Sequence, residues 1–368
     1  MSTVEASPRA AARRHSVFHE LRVSALDRLT EDSIAITFEV PPELREAYRF
    51  TAGQHVSLRC RIAGDDVRRN YSICTPAGSG VLRVGVKRLP GGVFSSYALE
   101  KLRVGDPIEV LTPSGRFFTP LRREQAKHYA AVAAGSGITP ILSILATALE
   151  VEPHSRATLV YVNQTTASIM FLEELADLKD RHLGRFQLIH VLDRERQEVE
   201  LLSGFLDRDR LAGLLDSVVD TEDVDEWFLC GPIGLTDLIR ATLVDRGVSD
   251  QHVHRELFHV GPAPPPITRP DVAAPGGSTV TVLLDGRTST FPLRPDAEPI
   301  LDATLRVRED APYACKNGVC GTCRAKLVSG RVVMAQNFAL ERDEVDRGYV
   351  LACQAHPATD EVVLDFDQ

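Results

Sequence analysis

The stretch "PYACKNGVCGTCRAK", residues 312–326, decides how the rest of the chain is read. Cys315, Cys320 and Cys323 sit within nine residues, separated by four and then two others. Three soft ligands on one loop ask for a fourth from elsewhere. Downstream, only Cys353, in "YVLACQAHP", can supply it, with 29 residues between it and Cys323. Structural zinc sites usually draw two short-spaced ligand pairs from separate knuckles, so a zinc knuckle is the weaker reading.

C-x4-C-x2-C with a distant fourth cysteine is the plant-type spacing for a [2Fe–2S] cluster. Gly318 and Gly321 let the loop curl, so that backbone N–H groups can face the cluster's sulfurs. The flanking sequence agrees. "TVTVLLDGRTSTFPLR" is predicted as a hairpin turning at Asp285-Gly286, and "PILDATLRVRED" as an amphipathic helix. Such a module passes one electron at a time and makes nothing by itself. The remainder of the chain must supply or accept electrons.

That remainder is long. A chain of 368 residues exceeds one ordinary core, so two or three domains are expected. A hydrophobic content of 43% reads as globular. No run approaches 18 apolar residues, which argues against a membrane-spanning helix. The net charge of −9 speaks against nonspecific nucleic-acid binding. Residues 1–16, "MSTVEASPRAAARRHS", lack a secretory apolar stretch; Glu5 and the short length argue against a transit peptide, leaving a frayed N-terminus. Seven cysteines, an odd number, point to a reducing cytoplasm.

The sharpest boundary is "GPAPPPITRPDVAAPGG", residues 261–277, where six prolines and three glycines predict a semi-extended linker. Residues 278–368 follow as the cluster-bearing unit. Residues 17–120 read as β: "SIAITFEV", "HVSLRCRI" and "VLRVGVKRL" alternate and are separated by turn signals, which suggests an antiparallel barrel. From 121 to 260 the pattern changes. "HYAAVAAGSGITPILSILATALE" is strand, turn and helix; "ATLVYVNQ" is a strand, and "SIMFLEELADLKDRH" a second helix. "FQLIHVLDRE" and "EWFLCGP" are further strands, the latter before "IGLTDLIRATLVDRG". Alternation at this spacing predicts an α/β doubly wound parallel sheet.

Local signatures sharpen this. In "RRNYSICT", residues 68–75, Arg69 offers a forked cation suited to a pyrophosphate. Tyr71 lies on the same strand face and can stack on a ring system. Ser72 faces the other way, free to donate a hydrogen bond. In "VKRLPGGVFSSY", residues 86–97, N–H groups from Gly92 to Ser95 can form an anion site. In "AAVAAGSGITPILSI", residues 130–144, Gly135 and Gly137 permit close backbone approach to a phosphate or ring. The pattern is G-x-G-x-x-P, so the usual dinucleotide fingerprint is absent. "FLCGP", residues 228–232, puts Cys230 at a carboxyl edge, where open α/β sheets bind ligands.

As a set, RxYS, GG-x-F-S, GSGITP and CGP resemble the ferredoxin–NADP reductase superfamily. With a plant-type ferredoxin unit at the C-terminus, the chain resembles reductase components of oxygenases. "RNYSIC", "GVKRLPGGVFSSY", "PYACKNGVCGTC" and "GYVLACQAHPATDEVVLDFD" resemble the reductases of phenylacetyl-CoA ring epoxidases. The likeness runs from about residue 17 to the C-terminus.

This resemblance implies an FAD-binding barrel, a nucleotide-binding α/β domain and an α+β, β-grasp ferredoxin domain. It implies Arg69, Tyr71, Ser72, Ile73, Val86 and Lys87, with Gly92, Val93, Phe94 and Ser95, around the flavin. Ser72 would donate near the reactive flavin nitrogen. Gly135, Gly137, Thr139, Pro140 and Asn163, with Cys230, Gly231 and Pro232, would face the nicotinamide dinucleotide, with Ser72, Thr139 and Cys230 nearest the reacting atoms. Glu256 and Phe258, in "RELFHV", match the closing E-x-F near the flavin. Cys315, Cys320, Cys323 and Cys353 carry over as iron ligands.

One departure matters. Relatives read Tyr-Gly-Asn-Arg-Thr where this chain reads "YVNQT", residues 161–165. Gln164 replaces an arginine suited to a 2′-phosphate, so NADPH and NADH both stay open, as does FMN beside FAD. The implied scheme runs from NAD(P)H through flavin and cluster to an oxygenase, expected to be a di-iron phenylacetyl-CoA epoxidase. The competing readings are the reductase of a steroid or aromatic-ring hydroxylase, and a redox-responsive cofactor-binding protein without turnover.

Overall fold

The computed structural model describes residues 17–258, 277–294, 298–340 and 342–368. The expected frayed N-terminus and nearly all of the expected linker lie outside them. Two compact units emerge from the described chain: residues 18–258 with residues 313–322, and residues 277–312 with residues 323–368.

The first unit begins as a six-stranded antiparallel sheet. Its strands are β1 (Phe18–Thr30), β2 (Ser33–Glu39), β3 (His55–Ile62), β4 (Asp65–Ser72), β5 (Leu82–Lys87) and, after helix α1 (Val93–Glu100), β6 (Pro107–Leu111). They lie in the order β4-β3-β6-β1-β2-β5. A bridge between Ile73 and Val84 joins the two outer strands and closes the barrel. The alternation seen in sequence is the cause: Ile34, Ile36, Val56, Leu58, Val84 and Val86 all point into one apolar core.

The α/β part follows as β7 (His128–Ala134), α2 (Ile138–Val151), β8 (Arg156–Asn163), α3 (Leu172–Arg181), β9 (Phe186–Leu192), α4 (Arg208–Ser217), β10 (Glu226–Gly231), α5 (Ile233–Asp245) and β11 (Val253–Leu257). All neighbouring strands are parallel, in the order β11-β10-β7-β8-β9. Ala131 and Phe228 face one apolar layer with α2, while Ala130, Trp227 and Leu229 face the other. Burial on both faces explains why these strands read as continuous apolar runs.

One expectation shifts. A helix was expected from Ser168, but α3 starts at Leu172. Phe171 takes φ +58° and is 1% exposed. Its ring packs so closely that a Cβ on Gly85 would come within 3.0 Å of it. Seating this aromatic against β5 outweighs the helical propensity of the preceding turn.

The second unit has β12 (Ser278–Leu284), β13 (Arg287–Leu293), α6 (Ile300–Val307), β14 (Arg324–Ser329), β15 (Val332–Met334), α7 (Arg342–Asp346), β16 (Tyr349–Leu351), β17 (Ala355–Pro357) and β18 (Glu361–Asp365). A mixed sheet, β13-β12-β18-β14-β16, has α6 packed on it, and β15 pairs with β17. This is the β-grasp arrangement. Asp285 and Gly286 both take positive φ, as a two-residue hairpin turn requires. Their N–H groups donate to the Asp367 carboxylate at 2.8 and 2.9 Å. No helix among the described residues is long and apolar enough to cross a membrane.

Candidate functional site

A cleft of about 220 Å³ opens in the first unit, lined from the barrel by Tyr71, Ser72 and Phe94, and from the α/β part by Thr139 and Glu256. Alternation along β4 sends Tyr71 and Ser72 to opposite faces. The Tyr71 ring lies 5.3 Å from that of Phe94, tilted against it. Phe94 is itself 1% exposed, so it braces Tyr71 as a wall of the cleft. Arg69 is exposed at the rim. Val93 is exposed at the first turn of α1, whose leading N–H groups have no intrahelical acceptor. The Ser95 hydroxyl accepts from Leu89 N at 3.1 Å and so ties down the preceding loop. Ile73 and Val86 are fully buried in the barrel core, leaving only main-chain groups for a ligand. Lys87 lines the cleft and pairs with Asp32 at 3.5 Å.

Ser72 is buried, and its hydroxyl donates to Glu256 Oε2 at 3.0 Å. Burial pushes the Glu256 carboxyl up to about 7, against the pull of that hydrogen bond. His55, at the start of β3, stands opposite Ser72 in register. Its Nδ1 lies 3.9 Å from Glu256 Oε1. Burial pushes His55 down to about 4, so the imidazole is neutral near pH 7 and the contact is not an ion pair. Ser114 Oγ approaches His55 Nε2 at 3.4 Å. Sequence reasoning missed His55: a lone histidine opening a strand carries no local signal.

The two nucleotide motifs meet by necessity. A Cβ on Gly137 would collide with the Cys230 carbonyl oxygen, so only glycine lets the β7–α2 turn close on the end of β10. Cys230, 1% exposed, then lies beside Glu256 across the β10–β11 pairing; burial holds its thiol well above the usual cysteine range. Thr139 donates to Ser136 O at 3.1 Å in the first turn of α2. Pro140 occupies the same turn, where no intrahelical acceptor waits for the missing N–H. Gly231 and Pro232 lead into α5. Asn163 closes β8, away from Thr139 and Cys230 along the sheet edge. Phe258 follows β11, 37% exposed at the cleft.

The loop 313–322 belongs to this same unit. The Arg68 guanidinium lies over the Tyr313 ring, its Cζ 4.0 Å from the ring centroid, and Asn70 Nδ2 reaches Thr322 Oγ1 at 3.4 Å. Cys315 and Cys320 border the cleft. Positive φ at Lys316, Gly318 and Gly321 curls the loop, so that Asn317 N–H donates to Cys315 Sγ at 3.3 Å and Thr322 N–H to Cys320 Sγ at 3.5 Å. The Cys315 thiol is pushed down to about 6, chiefly by its hydrogen bond with Cys320. In the second unit Cys323 and Cys353 are buried, and Gln354 Nε2 approaches Cys353 Sγ at 3.8 Å. Among the described residues, no three His, Cys, Asp or Glu side chains gather as around a single metal ion. A [2Fe–2S] cluster does not ask for that, since its four cysteines divide between two irons. Thiolate sulfurs met by backbone donors fit such a cluster.

Three family models match: an oxidoreductase FAD-binding domain over residues 20–118, an oxidoreductase NAD-binding domain over 131–241, and a 2Fe-2S iron-sulfur cluster binding domain over 282–358. The chain is 44% identical to a subunit of the 1,2-phenylacetyl-CoA epoxidase of Escherichia coli K12, across 96% of this chain and 98% of that one. It is 33% identical to the ferredoxin reductase component of 3-ketosteroid-9-alpha-monooxygenase from Rhodococcus rhodochrous, across 94% and 96%. The solved structure of phthalate dioxygenase reductase shares the fold, with TM-score 0.56, 24% identity and 95% and 98% coverage. These matches define an oxidoreductase that uses FAD, a nicotinamide dinucleotide and a [2Fe–2S] cluster. The chain belongs to the family of oxygenase reductases in which the phenylacetyl-CoA epoxidase reductase is also a member.

Proposed function

We propose that this chain is the reductase of a multisubunit di-iron epoxidase acting on phenylacetyl-CoA. The observation that carries this reading is likeness at 44% identity over nearly the full length of both chains. A relative at 33% is the ferredoxin reductase component of a steroid monooxygenase.

The division of labour assigns FAD to residues 17–120, the dinucleotide to 121–260 and the cluster to 278–368. Arg69, Tyr71 and Ser72 would hold FAD, which would supply the conversion between the two-electron donor NAD(P)H and the one-electron cluster. The chain's own groups do the positioning. Tyr71, braced by Phe94, supplies a flat apolar wall. Arg69 and the first N–H groups of α1 would hold the flavin's pyrophosphate. Ser72 holds its hydroxyl proton toward Glu256, and Glu256 titrates near pH 7, so it can hold or release a proton beside the reacting ring. Thr139 and Cys230 bound the nicotinamide side, where burial excludes water. The four cysteines work as thiolates that must stay reduced, which fits a cytoplasmic setting.

Reconstitution tests the partner. Purified holoprotein is mixed with the oxygenase subunits, phenylacetyl-CoA, NAD(P)H and O2, and NAD(P)H consumption is followed together with CoA-ester product. Coupled turnover is expected. Coupling to a steroid monooxygenase at equal or higher rate would overturn the assignment.

A further inference from the structure

Arg68 opens the stretch "RRNYSICT", and the flavin site described above makes no use of it. Its side chain is a buried cation, 6% exposed. Asp66 accepts from its Nη2 at 3.1 Å. Its other close neighbours are rings, and cation and ring alternate in a ladder. Arg59, on β3, puts its Cζ 4.2 Å from the centroid of Phe18, on β1. Arg68, on β4, puts its Cζ 5.5 Å from Phe18 and 4.0 Å from Tyr313. Lys316 then places its Nζ 4.8 Å from Tyr313. At the barrel end the ladder is fixed by Glu109, which accepts from Arg59 Nε at 2.8 Å.

The far end of the ladder is the cluster loop. Alternation along β4 puts Arg68, Asn70 and Ser72 on one face of the strand. Asn70 is itself oriented, because its Oδ1 accepts from Ser57 Oγ at 2.6 Å, and its Nδ2 reaches Thr322 Oγ1 at 3.4 Å. One strand thus grips the segment 313–322 at its first residue and at its last. Between the two grips lie Cys315 and Cys320, which border the cleft beside Tyr71 and Ser72 of the same strand.

We propose that Arg68 is a positioning residue for electron transfer: stacked on Tyr313, it latches the cluster loop to the barrel and so sets the rate at which the cluster receives electrons from the flavin. A buried cation is costly unless its surroundings compensate it. Ring faces do so only at close, stacked range, and a planar guanidinium suits that geometry. Apolar packing alone would be met as well by an uncharged side chain. Electron transfer falls off steeply with the separation of the carriers, so the hold on Cys315 and Cys320 governs the step. The inference rests on the flavin-to-cluster route given above.

The test compares holoprotein with Arg68→Met, Tyr313→Leu and Tyr313→Phe. NADH or NADPH is mixed in without oxygen; flavin bleaching is followed by stopped flow and the reduced cluster by electron paramagnetic resonance of freeze-quenched samples. Hydrogen exchange of the amides of 313–322, read by mass spectrometry on the oxidised protein, reports the hold on the loop directly. Arg68→Met and Tyr313→Leu should slow cluster reduction about tenfold and raise exchange across the loop, with flavin bleaching, flavin content and iron content unchanged. Tyr313→Phe keeps the ring and should match the unmodified protein. Tyr313→Leu leaves the barrel core intact and decides the matter if Arg68→Met fails to fold. Cluster reduction at the normal rate in Tyr313→Leu overturns the proposal, as does slowed reduction with loop exchange unchanged, or a Tyr313→Phe as impaired as Tyr313→Leu. If flavin bleaches in the unmodified protein and no cluster signal follows, the flavin-to-cluster route falls, and this proposal with it.

Discussion

Glu256 is the buried carboxylic acid of the cleft. Its carboxyl is pushed from the usual 4.5 up to about 7 by burial. Between those values the folded protein binds more protons than the unfolded chain, so this group's contribution to stability falls as pH rises. At 1.36 kcal/mol per unit the full span is about 3 kcal/mol. His55 works in the opposite sense: its pKa is depressed from 6.5 to about 4, and its contribution is lost as pH falls through that window. Glu256→Gln removes the first dependence and keeps the second. The variant should therefore gain stability relative to the unmodified holoprotein as pH rises from 5 to 8, read as Tm in parallel scans. A Tm difference that stays flat across that range would show that Glu256 is ionised throughout.

At the scale of elements, the β7–α2 turn and the end of β10 are fitted to each other without slack. Gly137→Ala puts a methyl group into the Cys230 carbonyl, and relief requires the helix to lift from the strand. Overpacking of this kind costs about 1–3 kcal/mol. Trp227 lies on β10 itself, is 1% exposed and is the only tryptophan in the chain, so its fluorescence reports unfolding of this sheet in urea. A lower midpoint and weaker dinucleotide binding are expected together. An unchanged midpoint would mean that the turn can move freely. The elements themselves were largely legible: period-two alternation marked the barrel, and continuous apolar runs marked the parallel strands. The start of α3 was not, because Phe171 obeys a contact with β5 from a distant part of the chain and not its neighbours' helical preference.

At the scale of the whole molecule, the chain joins a two-electron carrier to a one-electron carrier. Cys320→Ser breaks the ligand set and leaves the flavin site's own residues in place. Electron transfer to the partner oxygenase should be abolished, while ferricyanide reduction, which the flavin can perform directly, should stay largely intact. Loss of both would mean that the cluster braces the fold and lies off the electron path. Which oxygenase is served is a property of the surface, and the motifs say nothing of it; only the full-length likeness distinguishes the candidates.

The amino-acid sequence by itself determined whatever depends on near neighbours. The spacing of Cys315, Cys320 and Cys323 put three thiols on one short curled loop, because residues a few positions apart are neighbours whatever the rest of the chain does. The glycines of "GSGITP" declared a strand-to-helix turn for the same reason. Tertiary structure alone decided which groups work together across long separations. Ser72 and Glu256 are 184 residues apart, and His55 joins them only because β3 pairs with β4 in one register. Hydrogen-bond partners and burial are set by packing, and packing is where distant parts of a chain first meet.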